Sequence, residues 1–140
     1  MEREVQTFVF FCQLMINDAT KTILIVEDNP AVLEMVQIFL EGENYKVVTA
    51  TEGGSVQSVA EAAVPDLILL DMWIPILDGA EVAKLLRKNS STKAIPIVMF
   101  SAHPNAENFA KVAGVDALLT KPFELSDLLK VIQKFTSQGA

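Results

Sequence analysis

The sequence predicts an α/β fold, a parallel five-stranded sheet with helices wound on both faces. Three observations predict it. Short apolar runs alternate with amphipathic stretches five times along the chain, and parallel strands need such a crossover between them. The central runs are continuously apolar, as in Leu67-Ile68-Leu69-Leu70, which is the pattern of strands buried on both faces. Four of the runs end on reactive polar groups: Glu27 and Asp28, Asp71, Ser101, and Lys121.

Thr22 to Val26 is the first strand, and Asn29-Pro30 opens the helix after it, with proline suited to the first helical position. Val32, Leu33, Val36, Phe39 and Leu40 form the apolar stripe of that helix, and Gly42 is expected as its C-cap. Lys46 to Ala50 is a shorter, more polar strand, expected nearer a sheet edge. Glu52 to Ala63 reads as a weak helix with Val56, Val59, Ala60 and Ala63 inward. Leu67 to Leu70 then runs into Asp71, and Pro75 with Asp78-Gly79 marks an irregular loop. Ala80 to Lys88 is a helix with Val82, Leu85 and Leu86 inward. Ile95 to Phe100 is the fourth strand, ending on Ser101. Asn105 to Ala113 is a short helix with Phe109 and Val112 inward, closed by Gly114. Val115 to Leu119 leads through the fifth strand to Thr120-Lys121-Pro122-Phe123. Leu125 to Phe135 is the last helix, with Leu128, Leu129, Ile132 and Phe135 on one face.

A chain of 140 residues, 51% of them apolar, is long enough for one domain with a substantial core. The net charge of −7 argues against general nucleic-acid binding, which needs a basic face. No apolar run is long enough to span a bilayer. A single cysteine, Cys12, excludes an internal disulfide and fits a reducing compartment. With one cysteine and one histidine, no cluster has zinc spacing. Residues 1–20 differ from the rest. Val5, Phe8, Val9, Cys12, Met15 and Ile16 fall on one helical stripe, so this extension is either an extra helix lying on the domain or sequence upstream of a start at Met15. It lacks the marks of a signal peptide, and no chemistry is expected there.

In open α/β sheets, ligands bind beyond the carboxyl ends of the strands, where strand order reverses. Glu27, Asp28 and Asp71 would bring three carboxylates into one crevice, and like charges at that range destabilise each other's ionised forms. A hard divalent cation removes the conflict, and carboxylate, carbonyl and water oxygens suit Mg²⁺. Lys121 adds an ammonium placed to hold an anionic group or Asp71 itself. Ser101 offers a hydroxyl to an incoming oxyanion. Such a pocket suits phosphoryl transfer to a carboxylate.

Taken together, Glu27-Asp28, Asp71 with Pro75 and Asp78-Gly79 after it, Ser101-Ala102, and Lys121-Pro122-Phe123 resemble the receiver domain of two-component response regulators. The resemblance covers about Thr22 to Phe135, within a receiver domain expected over residues 21–140. It implies a flavodoxin-like doubly wound (βα)5 fold with strand order 2-1-3-4-5. It also implies that Asp71 is the phosphoacceptor and that Asp28 ligates Mg²⁺ directly, with Glu27 acting mostly through water and the backbone carbonyl of Trp73 completing the set. Ser101 and Lys121 would bond the phosphoryl group, and Lys121-Pro122 would be a cis peptide. The implied partners are a histidine kinase or phosphotransfer protein, and a downstream protein or second copy bound through helix 4, strand 5 and helix 5. No nucleic-acid or membrane contact is expected within this chain. The implied location is the cytoplasm, and the implied role is a phosphoacceptor switch rather than an enzyme. The chain would be either a stand-alone receiver or one module of a longer protein.

Two features depart from the family pattern. The residue three before the lysine is usually Tyr or Phe, a ring that swings inward on activation, and here it is Leu118. The switch is therefore expected to act through the Ser101 loop and the helix after it. Trp73 stands two residues past Asp71 and His103 two past Ser101, where both would rim the pocket. Rival readings fit less well. A Toprim site needs a second acidic residue where Trp73 stands, a haloacid dehalogenase needs its nucleophilic aspartate after the first strand, and an FMN-binding flavodoxin needs a Ser/Thr/Gly-rich loop where Glu27-Asp28-Asn29-Pro30 lies. The remaining alternative is a non-phosphorylated protein-interaction module on the same fold.

Overall fold

A computed structural model describes residues 20–73 and 78–136. Pro75 and all of the 1–20 extension but Thr20 lie outside the described residues. The strands are β1 (Thr22–Val26), β2 (Lys46–Ala50), β3 (Leu67–Asp71), β4 (Ile97–Ser101) and β5 (Ala117–Thr120). The helices are α1 (Pro30–Gly42), α2 (Val56–Ala63), α3 (Gly79–Lys88), α4 (Ala106–Ala113) and α5 (Leu125–Thr136), with one 3-10 turn at Gly53–Ser55 before α2. All strand pairs are parallel, and the order is β2-β1-β3-β4-β5, as the family resemblance implies.

The continuously apolar strands supply two cores at once, because successive side chains point to opposite faces. Leu24, Val26, Ile68, Leu70, Ile97 and Met99 face α2, α3 and α4. Ile23, Ile25, Leu67, Leu69, Val98 and Phe100 face α1 and α5. All twelve of these side chains are buried. Strand order reverses beside β1, which has β2 on one side and β3 on the other. The crevice at that switch point lies where β1, β3 and β4 end.

Several local expectations are corrected. Gly42 is the last residue of α1, not its cap. The chain instead turns through Glu43 and Asn44, and Asn44 takes the left-handed conformation at φ 71° that asparagine tolerates. Strand β4 begins at Ile97 rather than Ile95, because the Ile95 N–H bonds back to Thr92 and its carbonyl is taken by Arg87. Strand β5 begins at Ala117, since Val115 N–H is still tied to Ala110 of the preceding helix. Leu85 is exposed, and Ala83 packs inward with Val82 and Leu86.

The largest correction concerns α4. Ala106, Ala110 and Ala113 face the core, while Phe109 is 37% exposed and Val112 68%. Both stripes repeat at helical spacing, so periodicity alone could not choose between them. Small side chains on the inner face let this helix lie close against the sheet.

Gly79 opens α3 at a point where no side chain fits. Its N–H donates to the Met72 carbonyl at 2.7 Å. A Cβ at residue 79 would sit 2.6 Å from the Asp71 carbonyl oxygen and 2.8 Å from the Met72 Cα, both of them backbone atoms that no rotamer change can move. Gly79→Ala is expected to destabilise the fold by about 1–3 kcal/mol, the range for overpacking, read as a lower urea midpoint with an unchanged slope.

Candidate functional site

Asp71 and Ser101 are the last residues of β3 and β4, and Glu27 follows β1 directly. Parallel strands in register therefore deliver all three to one edge of the sheet. Asn29 takes the helix-capping role in α1, its Oδ1 accepting from Ala31 N–H at 2.9 Å and Val32 N–H at 3.3 Å. That leaves the exposed Asp28 carboxylate free of capping duty. Carboxylate oxygens of Glu27, Asp28 and Asp71 lie within 4.8 Å of one another.

Glu27 and Asp71 are both buried. Lys121, brought in from the turn after β5, places its Nζ 3.2 Å from Glu27 Oε1 and 3.8 Å from Asp71 Oδ1. The ammonium thus sits nearer Glu27 than the expected Asp71. It also lies 4.7 Å from the centre of the Phe100 ring, a cation–π contact that steadies it. The Lys121-Pro122 peptide is cis, as expected.

One ammonium cannot neutralise this cluster. Burial pushes the Asp71 carboxyl up to about 7, and Glu27 beside it adds to the rise through a shared hydrogen bond and like charge. Lys121 and the Trp73 N–H pull the other way. Burial also raises Glu27, but the hydrogen bond with Asp71, the Lys121 ammonium and the Asn29 N–H together hold it below the usual value. Burial and like charge thus work against both carboxyls being ionised together. A hard divalent cation fits such a donor set, because it removes the reason for Asp71 to keep a proton. The residues present therefore suit Mg²⁺.

Ser101 is also buried, but its hydroxyl does not reach the carboxylates. It accepts from His103 N–H at 3.0 Å and lies 3.8 Å from the Met72 sulfur, to which it donates. Met72 is a residue that sequence reasoning missed. As an apolar residue following Asp71 it carried no chemical signal, yet it is buried and partners the serine.

Trp73 and His103, each expected at the rim of the pocket, also contact one another. The Trp73 N–H donates weakly to Asp71 Oδ1 at 3.4 Å, and its half-exposed ring stands edge-on to His103 with centroids 5.4 Å apart. Phe109 of α4 completes the group, 6.3 Å from Trp73 and 5.4 Å from His103. The expectation that Phe109 was a core residue had hidden it from the site. On the opposite side, Val32, Met35, Ala102, Pro122 and Phe123 line a largely apolar groove of about 340 Å³ that ends on Lys121. Leu118 is half-buried against the α4 side of the core and makes no part of this rim.

Residues 23–133 match the family described as the response regulator receiver domain. The chain is 38% identical over 109 residues to the DNA-binding dual master transcriptional regulator RpaA of Synechocystis, covering 76% of this chain and 45% of that protein. It spans about half the length of the curated relatives it matches first. Among solved structures it is similar to the chemotaxis protein CheY4 of Vibrio cholerae, with a TM-score of 0.77 and 31% identity over 83% of this chain and 98% of that one. It is also similar to the receiver domain of a sensor histidine kinase from Pseudomonas aeruginosa, which has a magnesium ion coordinated in its active site cleft. That likeness has a TM-score of 0.79 and 29% identity, covering 85% of this chain and 99% of that one. The family match runs from the second residue of β1 into α5, so it takes in every strand that carries a site residue, and the chain belongs to the response regulator receiver domains of two-component signalling.

Proposed function

We propose that the chain is a phosphoacceptor switch in which Asp71 receives a phosphoryl group from a histidine kinase or phosphotransfer protein. The observation that carries this reading is the buried Asp71 carboxylate at the end of β3, with Glu27 and Asp28 beside it and the Lys121 ammonium 3.8 Å away. An Asp71 oxygen attacks phosphorus in line, the bond from phosphorus to the donor nitrogen breaks, and the donor leaves with that electron pair. Lys121 is placed to turn from Glu27 to the phosphoryl oxygens. Ser101 can follow by exchanging Met72 for a phosphoryl oxygen. Glu27, Asp28, Asp71 and the Trp73 carbonyl would hold Mg²⁺, which when bound supplies charge neutralisation at the phosphoryl oxygens. Hydrolysis resets the switch, as water attacks phosphorus and the Asp71 carboxylate leaves.

The added charge, about −1.5 to −2 on a phosphorylated side chain, biases an existing equilibrium of the Ser101 loop, α4 and β5. The surface of α4, β5 and α5 then engages a downstream partner or a second copy. No helix of the described residues is long and apolar enough to cross a membrane.

Incubation with acetyl phosphate and Mg²⁺ is expected to add one phosphoryl group by intact mass. The gain should vanish in Asp71→Asn and on chelation of the metal. A persistent gain in Asp71→Asn would place the acceptor elsewhere. No gain in wild type that binds Mg²⁺ would favour the non-phosphorylated interaction module.

The Trp73 ring, held by His103 and Phe109 at the mouth of the site, is expected to hinder the attacking water. Trp73→Asn should speed loss of the phosphoryl group by about tenfold, a barrier change of about 1.4 kcal/mol. The decay of the phosphorylated mass with time reads this directly.

A further inference from the structure

We propose that the Trp73–His103–Phe109 cluster couples the phosphorylation site to α4, with Phe109 as the positioning residue on which the coupling depends. The inference rests on Asp71 being the phosphoacceptor, and it concerns how that event leaves the site. The family's usual carrier is an aromatic ring three residues before the lysine, and here Leu118 stands there with no ring to swing. Three other rings bridge the same gap. They come from three different segments, the loop after β3, the loop after β4, and α4 itself, and each touches the other two.

What ties the cluster to chemistry is the backbone beneath it. The N–H of Trp73 donates to Asp71 Oδ1, and the N–H of His103 donates to Ser101 Oγ. Both reacting side chains therefore hold the amide of a ring-bearing residue. A phosphoryl group on Asp71 alters the acceptor that the Trp73 amide uses. Ser101, in turning its hydroxyl to a phosphoryl oxygen, releases the His103 amide. Both rings are then displaced, and edge-to-face contacts have a preferred geometry that resists independent motion of the partners. Phe109 is the place where that displacement meets a helix.

Helix α4 is suited to respond. Its core face is alanine only, Ala106, Ala110 and Ala113, so it slides on the sheet with little interdigitation to undo. His103 Nδ1 also accepts from Asn105 N–H at 3.0 Å, which joins the ring to the start of the helix. On its outer face Phe109 adjoins the exposed Val112 one turn along. By reciprocity, a partner that grips α4 would bias the site in return.

Beryllofluoride with Mg²⁺, a non-covalent mimic of a phosphoryl group on a carboxylate, is the probe. Trp73 is the chain's one tryptophan, so its emission reads the cluster without a label, and amide resonances of residues 106–113 read the helix. In wild type the probe is expected to shift both. Phe109→Leu should bind the probe with little change in affinity but lose the α4 shifts. His103→Leu should do the same from the other side of the cluster, while Phe109→Tyr, which keeps the ring, should retain them. Leu118→Ala should also retain them. Wild-type α4 shifts in both ring-deleted variants, or their loss in Leu118→Ala, would overturn the coupling and leave Asp71 as phosphoacceptor. Failure of the wild type both to bind the probe and to gain mass from acetyl phosphate would overturn the two readings together.

Discussion

Two buried carboxyls, Glu27 and Asp71, share one ammonium, and much of this molecule is arranged around that imbalance. Lys121 lies between them, so neither acid is alone, yet a single positive charge leaves the cluster short. Burial and the neighbouring acid hold the Asp71 carboxyl near neutrality in its readiness to take a proton. A site poised in this way gains from any ligand that brings positive charge and oxygen affinity. It also discourages ionic groups without such a counterpart. That electrostatic shortage, rather than shape, is what makes the three acids a fitting donor set for a hard divalent cation.

The sheet makes the arrangement possible. Its inner strands are buried on both sides, so their ends are the natural places for polar groups with access to solvent. Parallel register then stacks Asp71 beside Phe100 and Ser101 beside Thr120. Phe100 has two roles in consequence. It fills the α1 and α5 side of the core, and its ring face supports the Lys121 ammonium. A core residue and a site residue are here the same side chain. Gly79 ties the other side, since α3 starts against the Asp71 and Met72 backbone and its first N–H is bonded to the residue just before Trp73.

In the arrangement seen here, Ser101 is engaged with Met72 and His103, away from the acids. A thioether is a weak acceptor, so little is lost when the hydroxyl turns elsewhere. The serine is therefore satisfied in a way that a stronger acceptor could outbid. The same economy marks α4, whose alanine face gives it a core contact without deep interlocking. Neither the serine nor the helix is locked by a strong acceptor or a deeply interdigitated contact.

Much of this was legible in the chain itself. Continuous apolar runs with punctuating Asn29-Pro30 and Asp78-Gly79 set the number and order of elements, because burial on both faces and the stereochemistry of turns are local properties. The acids, the serine and the lysine could be placed at one edge, because every parallel strand ends on the same side. The resemblance of those motifs to the receiver family added the strand order. Side-chain orientation was less legible. Phe109 and Ala110 belong to equally periodic stripes of α4, and only the space between that helix and the sheet chose the alanines. Met72 was silent because its part is played by position, one residue beyond Asp71 and beneath Ser101. The nearer partner of Lys121 depended on where three loops converge. What the sequence by itself determined was which chemical groups reach the site, through the period of its strands. Only the tertiary structure decided which of them touch at rest, because that is set by distances between segments far apart along the chain.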